Sequence, residues 1–115
     1  MTGRRQKRVG SLIKEELSRL LIETFQNSFS GLITVTEVDM SNDLKTAHAY
    51  LSFLGQKKRE EILDLLEKRK GFLRKSIASR VKLKYNPKLI FSIDRTPDIQ
   101  EKIEKLIKMA RKNEK

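Results

Sequence analysis

The run Leu32-Ile33-Thr34-Val35-Thr36-Glu37-Val38-Asp39-Met40, the turn-forming Ser41-Asn42-Asp43-Leu44 and then Ala47-His48-Ala49-Tyr50-Leu51-Ser52-Phe53-Leu54 together decide the fold class. The first run is dense in β-branched residues, which suit a pleated, half-buried backbone. In the second, Ala47, Ala49, Leu51 and Phe53 alternate with His48, Tyr50, Ser52 and Leu54. One face is therefore apolar at the period of two that a strand imposes. Two such runs joined by a short polar turn predict a β-hairpin whose apolar face needs a cover. Asp39 and Asp43 flank the turn, where carboxylates commonly make local hydrogen bonds. His48 falls on the polar alternation and is read as a solvent-facing strand residue.

The cover is supplied on both sides of the hairpin. Upstream, Val9, Leu12, Ile13, Leu17, Leu20, Leu21 and Phe25 recur at steps of three and four, which predicts an amphipathic helix over Arg4 to Phe25. A turn-like cluster, Asn27-Ser28-Phe29-Ser30-Gly31, separates it from the first strand. Downstream, Gln56 to Tyr85 is helical in pattern, with one stripe at Ile62, Leu65 and Leu66 and another at Leu73, Ile77 and Val81. Gly71 lies between the stripes and would cost a continuous helix about 1 kcal/mol relative to Ala, so it is read as a kink between two helices. Leu89, Phe91 and Ile93 alternate across a third strand that starts near Pro87. Thr96 as N-cap, Pro97 at the first helical position and Asp98 beside the helix dipole open a last helix, for which Ile99, Ile103, Leu106, Ile107 and Ala110 predict a buried stripe. Lys112 to Lys115 is expected to fray. The order helix, strand, strand, helix, kink, helix, strand, helix predicts an α+β class, a single two-layer domain with a three-stranded sheet.

Composition bounds the chemistry. With 115 residues, the chain can bury one core. Leu, Ile, Val and Phe make up about 30% of it, well above the roughly 20% below which highly charged chains stay disordered. There are no cysteines, so disulfides, thiolate metal sites and cysteine nucleophiles are excluded. A single histidine, His48, with Asp64, Glu67, Asp94 and Asp98 scattered at no pairing distance, offers neither an acid–base pair nor a metal set. The glycines at 3, 10, 31, 55 and 71 form no phosphate loop. We therefore expect no enzyme activity, no catalytic residue, no metal, no cofactor and no small-molecule substrate. No apolar run approaches a membrane span, and Met1 to Arg8 is basic without the apolar stretch of a signal, so the expected setting is cytoplasmic.

The charge is the functional signal. Lys and Arg number 26 against 15 Asp and Glu, a formal net charge of +11, which draws polyanions. Half of those bases lie in two acid-free stretches. One holds Arg4, Arg5, Lys7 and Arg8. The other, residues 68–88, holds Arg69, Lys70, Arg74, Lys75, Arg80, Lys82 and Lys84 with Lys68 and Lys88 at its ends. Elsewhere the signs interleave at helical neighbour spacing, as on any solvated face. Bases crowded at a helix N-terminus oppose the macrodipole, so local stability does not explain Arg4 to Arg8, and a bound phosphate does. Phe25, Phe53 and Phe91 fit core stripes, leaving Tyr50 and Tyr85 as the candidates for base stacking. Phosphate contacts, which give affinity more than sequence readout, are the expected mode. A membrane-surface role for the basic first helix is disfavoured because its apolar stripe is needed by the sheet.

Three segments in this order carry a family likeness: Arg4-Arg5-Gln6-Lys7-Arg8-Val9-Gly10; Ile33 to Ala47 across the hairpin turn; and Gly71-Phe72-Leu73-Arg74 through Leu83-Lys84-Tyr85-Asn86-Pro87-Lys88-Leu89-Ile90-Phe91 to Asp94. The chain resembles bacterial ribosome-binding factor A from about residue 4 to residue 107. The resemblance implies a type II K-homology-like fold, with residues 1–107 as the RNA-binding domain and 108–115 as a basic helix end. It also implies a kink of the form Ala-x-Gly in place of the usual GxxG loop; here Arg69-Lys70-Gly71 keeps the glycine and replaces the alanine. As function it implies a monomeric assembly factor that binds 16S rRNA and free, immature 30S subunits, assists late maturation and pre-rRNA processing, and supports growth in the cold. The alternative with the same charge is a structural ribosomal or nucleoid protein.

Overall fold

A computed structural model describes residues 3–25, 32–54 and 59–112. The expected turn at 27–31 and the expected helix start at Gln56 lie outside the described residues, as do the side chains of Pro97 and Asp98 and residues 113–115. Helix α1 (Arg4–Phe25) is followed by strands β1 (Leu32–Met40) and β2 (Thr46–Leu54), helices α2 (Arg59–Lys68) and α3 (Lys70–Arg80), strand β3 (Lys88–Ile93) and helix α4 (Thr96–Lys112). This is the expected α+β order. The sheet runs β1-β2-β3, with β1 antiparallel and β3 parallel to the central β2.

One sheet face is apolar and covered. Ala47, Ala49, Leu51 and Phe53 of β2 are buried with Leu89 and Phe91 of β3 and with Val35, Val38 and Met40 of β1. Against them lie Ile13, Leu17, Leu20, Leu21 and Phe25 of α1, Ile62 and Leu66 of α2, and Leu73 and Ile77 of α3. The helix approaches β1 so closely at Gly10 that an added Cβ would sit 2.7 Å from the Val38 carbonyl oxygen. The opposite face carries Glu37, Asp39, His48, Tyr50, Ser52, Ile90 and Ser92 and has no helical cover among the described residues. There the His48 and Tyr50 rings stack with centroids 4.4 Å apart, and His48 Nε2 lies 2.6 Å from the Ser92 hydroxyl. His48 is thus half-buried on the polar face.

Strand β1 changes face in the middle. Val35 pairs with Leu51 and Glu37 with Tyr50, leaving Thr36 as the extra residue of a bulge. Without that insertion Val35 and Val38 could not both point into the core, because side chains alternate strictly along a regular strand.

Three expectations are corrected. The break between α2 and α3 falls at Arg69, two residues before Gly71: Arg69 N–H donates to the carbonyls of both Leu65 and Leu66, and α3 is already under way at Lys70. A Cβ on Gly71 would meet nothing within 4 Å, so no steric demand for glycine exists there. The buried stripe expected of the last helix is not buried either. Ile99, Ile103, Leu106 and Ile107 are 47–64% exposed, and Ala110 is exposed as well. The apolar sheet face is already occupied by α1, α2 and α3, and the other face offers polar side chains. With α4 projecting, the radius of gyration is 16.9 Å, against about 13 Å for a compact chain of this length. The helix runs to Lys112, and the helix end expected from residue 108 is continuous with it. Its first intrahelical bond runs from the Ile99 N–H to the Arg95 carbonyl at 3.1 Å, which puts the cap position one residue before the expected Thr96, and Asp94 Oδ1 accepts the Thr96 N–H at 2.9 Å just ahead of it.

Candidate nucleic-acid interface

The structure sorts the eleven expected RNA-binding cations into two groups. Four are already engaged within the protein. The Arg69 guanidinium lies over the rings of Phe25 (5.9 Å) and Phe72 (5.1 Å), at the C-terminal end of α1. Lys70 pairs with Glu67 one turn back and lies 5.7 Å from the centre of the Phe91 ring. Arg74 donates from Nε to the Pro87 carbonyl and from a terminal nitrogen to the Asn86 carbonyl, each at 3.0 Å, and so holds the loop before β3. Arg80 bridges to Glu23 at 2.8 Å and Glu16 at 3.8 Å, joining α3 to α1; the Glu23 bond first, then the two carboxylate charges, raises its pKa further.

The other seven, Arg4, Arg5, Lys7, Arg8, Lys75, Lys82 and Lys84, pair with no carboxylate among the described residues. Arg4 to Arg8 occupy the first turns of α1, which has no acid in its first turn. The second basic stretch runs back along α1: Arg69 meets Phe25, Arg80 reaches Glu23 and Glu16, and Lys84 lines a cavity with Arg5. Two sequence segments about eighty residues apart are thereby brought to one end of the helix.

That meeting place is a cavity of about 360 Å³ between the start of α1, the β1–β2 turn and the loop before β3, lined by Arg5, Gln6, Asp43, Lys45, Lys84 and Tyr85 among others. Gln6 bolts α1 to the turn, donating from Nε2 to the Met40 carbonyl (3.1 Å) and to Asn42 Oδ1 (2.9 Å). The turn is braced internally. Asp43 Oδ1 accepts from the Ser41 hydroxyl (2.6 Å) and the Lys45 N–H (3.0 Å), which together hold its carboxyl below the usual value, and Leu44 takes a left-handed φ of 62°. The Lys45 carbonyl accepts the Lys88 N–H at 2.8 Å, tying the turn to β3. Lys45 and Lys84 lie 5.1 and 5.5 Å from the centre of the Tyr85 ring.

Charge segregation did not point to Lys45, which follows Asp43 within an ordinary mixed segment. Its one signal was its place just beyond a turn, where a side chain projects past the end of the sheet. Tyr85, a stacking candidate, is 38% exposed; Phe29 lies outside the described residues. Among the described residues no group of three or more His, Cys, Asp or Glu could hold a metal ion, and no helix is long and apolar enough to cross a membrane.

Comparison with known proteins agrees with this architecture. A homologue from Halothermothrix orenii named ribosome-binding factor A is 36% identical over 99% of this chain and 94% of its own length. The crystal structure of ribosome-binding factor A from Thermus thermophilus superposes with a TM-score of 0.68, at 23% identity, over 79% of this chain and 98% of that one. A homology model of the Thermus thermophilus protein, fitted into a cryo-EM map of its complex with the 30S subunit, gives a TM-score of 0.64 at 22% identity, over 77% and 94% of the two chains. Residues 5–107, which carry the second basic stretch, all of the first but Arg4, the hairpin and the interhelical break, match the family described as ribosome-binding factor A, and the chain belongs to that family.

Proposed function

We propose that the chain binds free small ribosomal subunits through 16S rRNA, and assists late subunit maturation and pre-rRNA processing as a monomeric assembly factor that supports growth in the cold. The observation that carries this reading is the convergence of Arg5 and Lys84, from two acid-free segments, at one end of α1 with no carboxylate paired to either among the described residues. Family membership and the 30S complex of the Thermus relative support the identity of the polyanion. The cations Arg4, Arg5, Lys7, Arg8, Lys75 and Lys82 are the contacts available at once, while Lys84 would leave the Tyr85 ring and Arg69, Lys70, Arg74 and Arg80 would likewise exchange an internal partner for a phosphate. Gly71 acts as a neutral first-turn residue of α3 in this scheme, beside the break at Arg69. Binding one rRNA conformation more tightly than its competitors shifts the folding equilibrium of the particle without chemistry.

Sucrose-gradient sedimentation of a cell extract tests the proposal. The protein should co-sediment with free small subunits and be missing from translating ribosomes. Uniform presence on polysomes would overturn it in favour of a structural ribosomal component.

A further inference from the structure

We propose that the cavity between the start of α1, the β1–β2 turn and the loop before β3 is a pocket for one unpaired nucleotide of RNA, with Arg5, Lys45 and Lys84 on its phosphate and Tyr85 against its base. The inference rests on the RNA-binding reading and adds to it a site, a preference for single-stranded RNA, and two residues, Lys45 and Tyr85.

Three cations from three separate segments line one cavity, against the single carboxylate of Asp43. The lining therefore carries a net charge of +2, with both protons that Asp43 Oδ1 accepts supplied by the turn itself. Like charges held together cost the free protein energy, and the π faces of one tyrosine offset only part of it. An anion between the three removes that repulsion. The walls are also fixed in advance by the Gln6, Asp43 and Lys45 hydrogen bonds, so little ordering remains to be done on binding.

The shape selects an unpaired strand. A volume of about 360 Å³ lies within the roughly 300–1,000 Å³ of small-ligand pockets. The phosphates of a duplex lie on a convex surface and can touch the rim cations, but the bases stay stacked inside and leave the cavity unfilled. A splayed-out nucleotide fills it: its phosphate draws the Lys45 and Lys84 ammoniums off the Tyr85 ring, and its base takes their place against the freed π face.

The test uses the full chain with two probes at one ionic strength: an oligouridylate of about ten nucleotides, inside the ~4–16 nucleotide range of single-strand sites, and an RNA hairpin stem with the same number of phosphates. Tyr85→Leu should weaken oligouridylate binding roughly tenfold and stem binding less than about twofold. Tyr85→Phe should bind both like the wild type. Lys45→Gln should reduce the salt slope on the oligouridylate by about 0.7, one single-strand phosphate contact. If Tyr85→Leu and Lys45→Gln both bind oligouridylate like the wild type while Lys75→Ala weakens both probes, the pocket is overturned and the general RNA-binding reading stands. If the wild type binds neither probe nor free small subunits, both fall.

Discussion

The Thr36 hydroxyl donates a 2.6 Å hydrogen bond to Asp94 Oδ2, joining the bulge residue of β1 to the residue that hands β3 over to α4. The same carboxylate accepts the Thr96 N–H, and the two bonds, that of Thr36 first, hold its pKa below the ordinary 3.8. A carboxyl depressed in the folded state stabilises the fold at pH values above its unfolded pKa and loses that contribution as the pH falls through the folded value. Asp94→Asn should therefore lower Tm at pH 6, and the gap to wild type should begin to close below about pH 4, where the unfolded carboxylate takes up its proton, and vanish only as the pH falls through the lower folded value. Thermal melts of both proteins across pH 2.5–6 check this; a gap that persists unchanged at the acid end would mean the charge is not what matters.

The same bulge shows where the sequence stops being legible. Alternation in β2 predicts its buried face residue by residue, because no insertion interrupts it. In β1 the apolar residues Ile33, Val35, Val38 and Met40 follow no single period of two, and only the pairing with Leu51 and Tyr50 reveals that Thr36 is the extra residue. Helix α4 errs in the opposite sense. Its stripe is cleanly periodic, but periodicity reports a helix with two unlike faces and says nothing of whether sheet area remains for the apolar one. The cavity beneath Tyr85 was illegible for a third reason: Arg5, Lys45 and Lys84 meet through tertiary contacts that no linear spacing encodes.

Gly10 separates local propensity from packing. Replacing a helical glycine with alanine ordinarily gains roughly 0.5–1 kcal/mol. Here the new methyl would meet the Val38 carbonyl oxygen at 2.7 Å, a backbone atom within the sheet that cannot swing aside. Overpacking of this kind costs typically about 1–3 kcal/mol, which outweighs the propensity gain. Gly10→Ala should lower stability in urea denaturation, whereas Gly71→Ala, with nothing near its Cβ, should leave it unchanged or raise it.

Exposure assigns opposite costs to two leucines. Leu66 is fully buried between α2 and the sheet, and truncation to alanine should cost about 2–5 kcal/mol. Leu106 is 64% exposed on α4, and the same truncation should change stability by no more than about 0.5 kcal/mol. A comparable loss at both positions in chemical denaturation would show that α4 folds back onto the body in solution.

Arg74 and Lys75 are neighbours in sequence with different duties. Arg74 holds two loop carbonyls from α3, so Arg74→Ala should destabilise the fold by roughly 1–3 kcal/mol. Lys75 is exposed without an ionic partner among the described residues, and Lys75→Ala should be near neutral for stability. A combined substitution of Arg74, Lys75 and Arg80 would therefore confound lost RNA contacts with a loosened loop and a broken tie between α3 and α1. Thermal melts of the three single variants, made before any binding assay, separate these effects.

The salt dependence of RNA binding distinguishes free cations from engaged ones. Each phosphate neutralised by a free Lys or Arg releases condensed counterions, so five contacts give a log–log slope of roughly −3.5 to −4.5, at about 0.7–0.9 per contact. A guanidinium already bridged to carboxylates, as Arg80 is to Glu23 and Glu16, must first surrender that pairing, and the carboxylates it leaves then repel the incoming strand. Its net contribution to the slope should be smaller than that of Arg5 or Lys84. Titrations of Arg5→Ala, Lys84→Ala and Arg80→Ala against RNA between about 50 and 200 mM salt should show slopes reduced by close to one contact for the first two and by less for the third. A flat response in the wild type would reject phosphate contacts as the source of affinity, and an Arg80 effect equal to that at Arg5 would mean that the bridge to α1 opens when RNA binds.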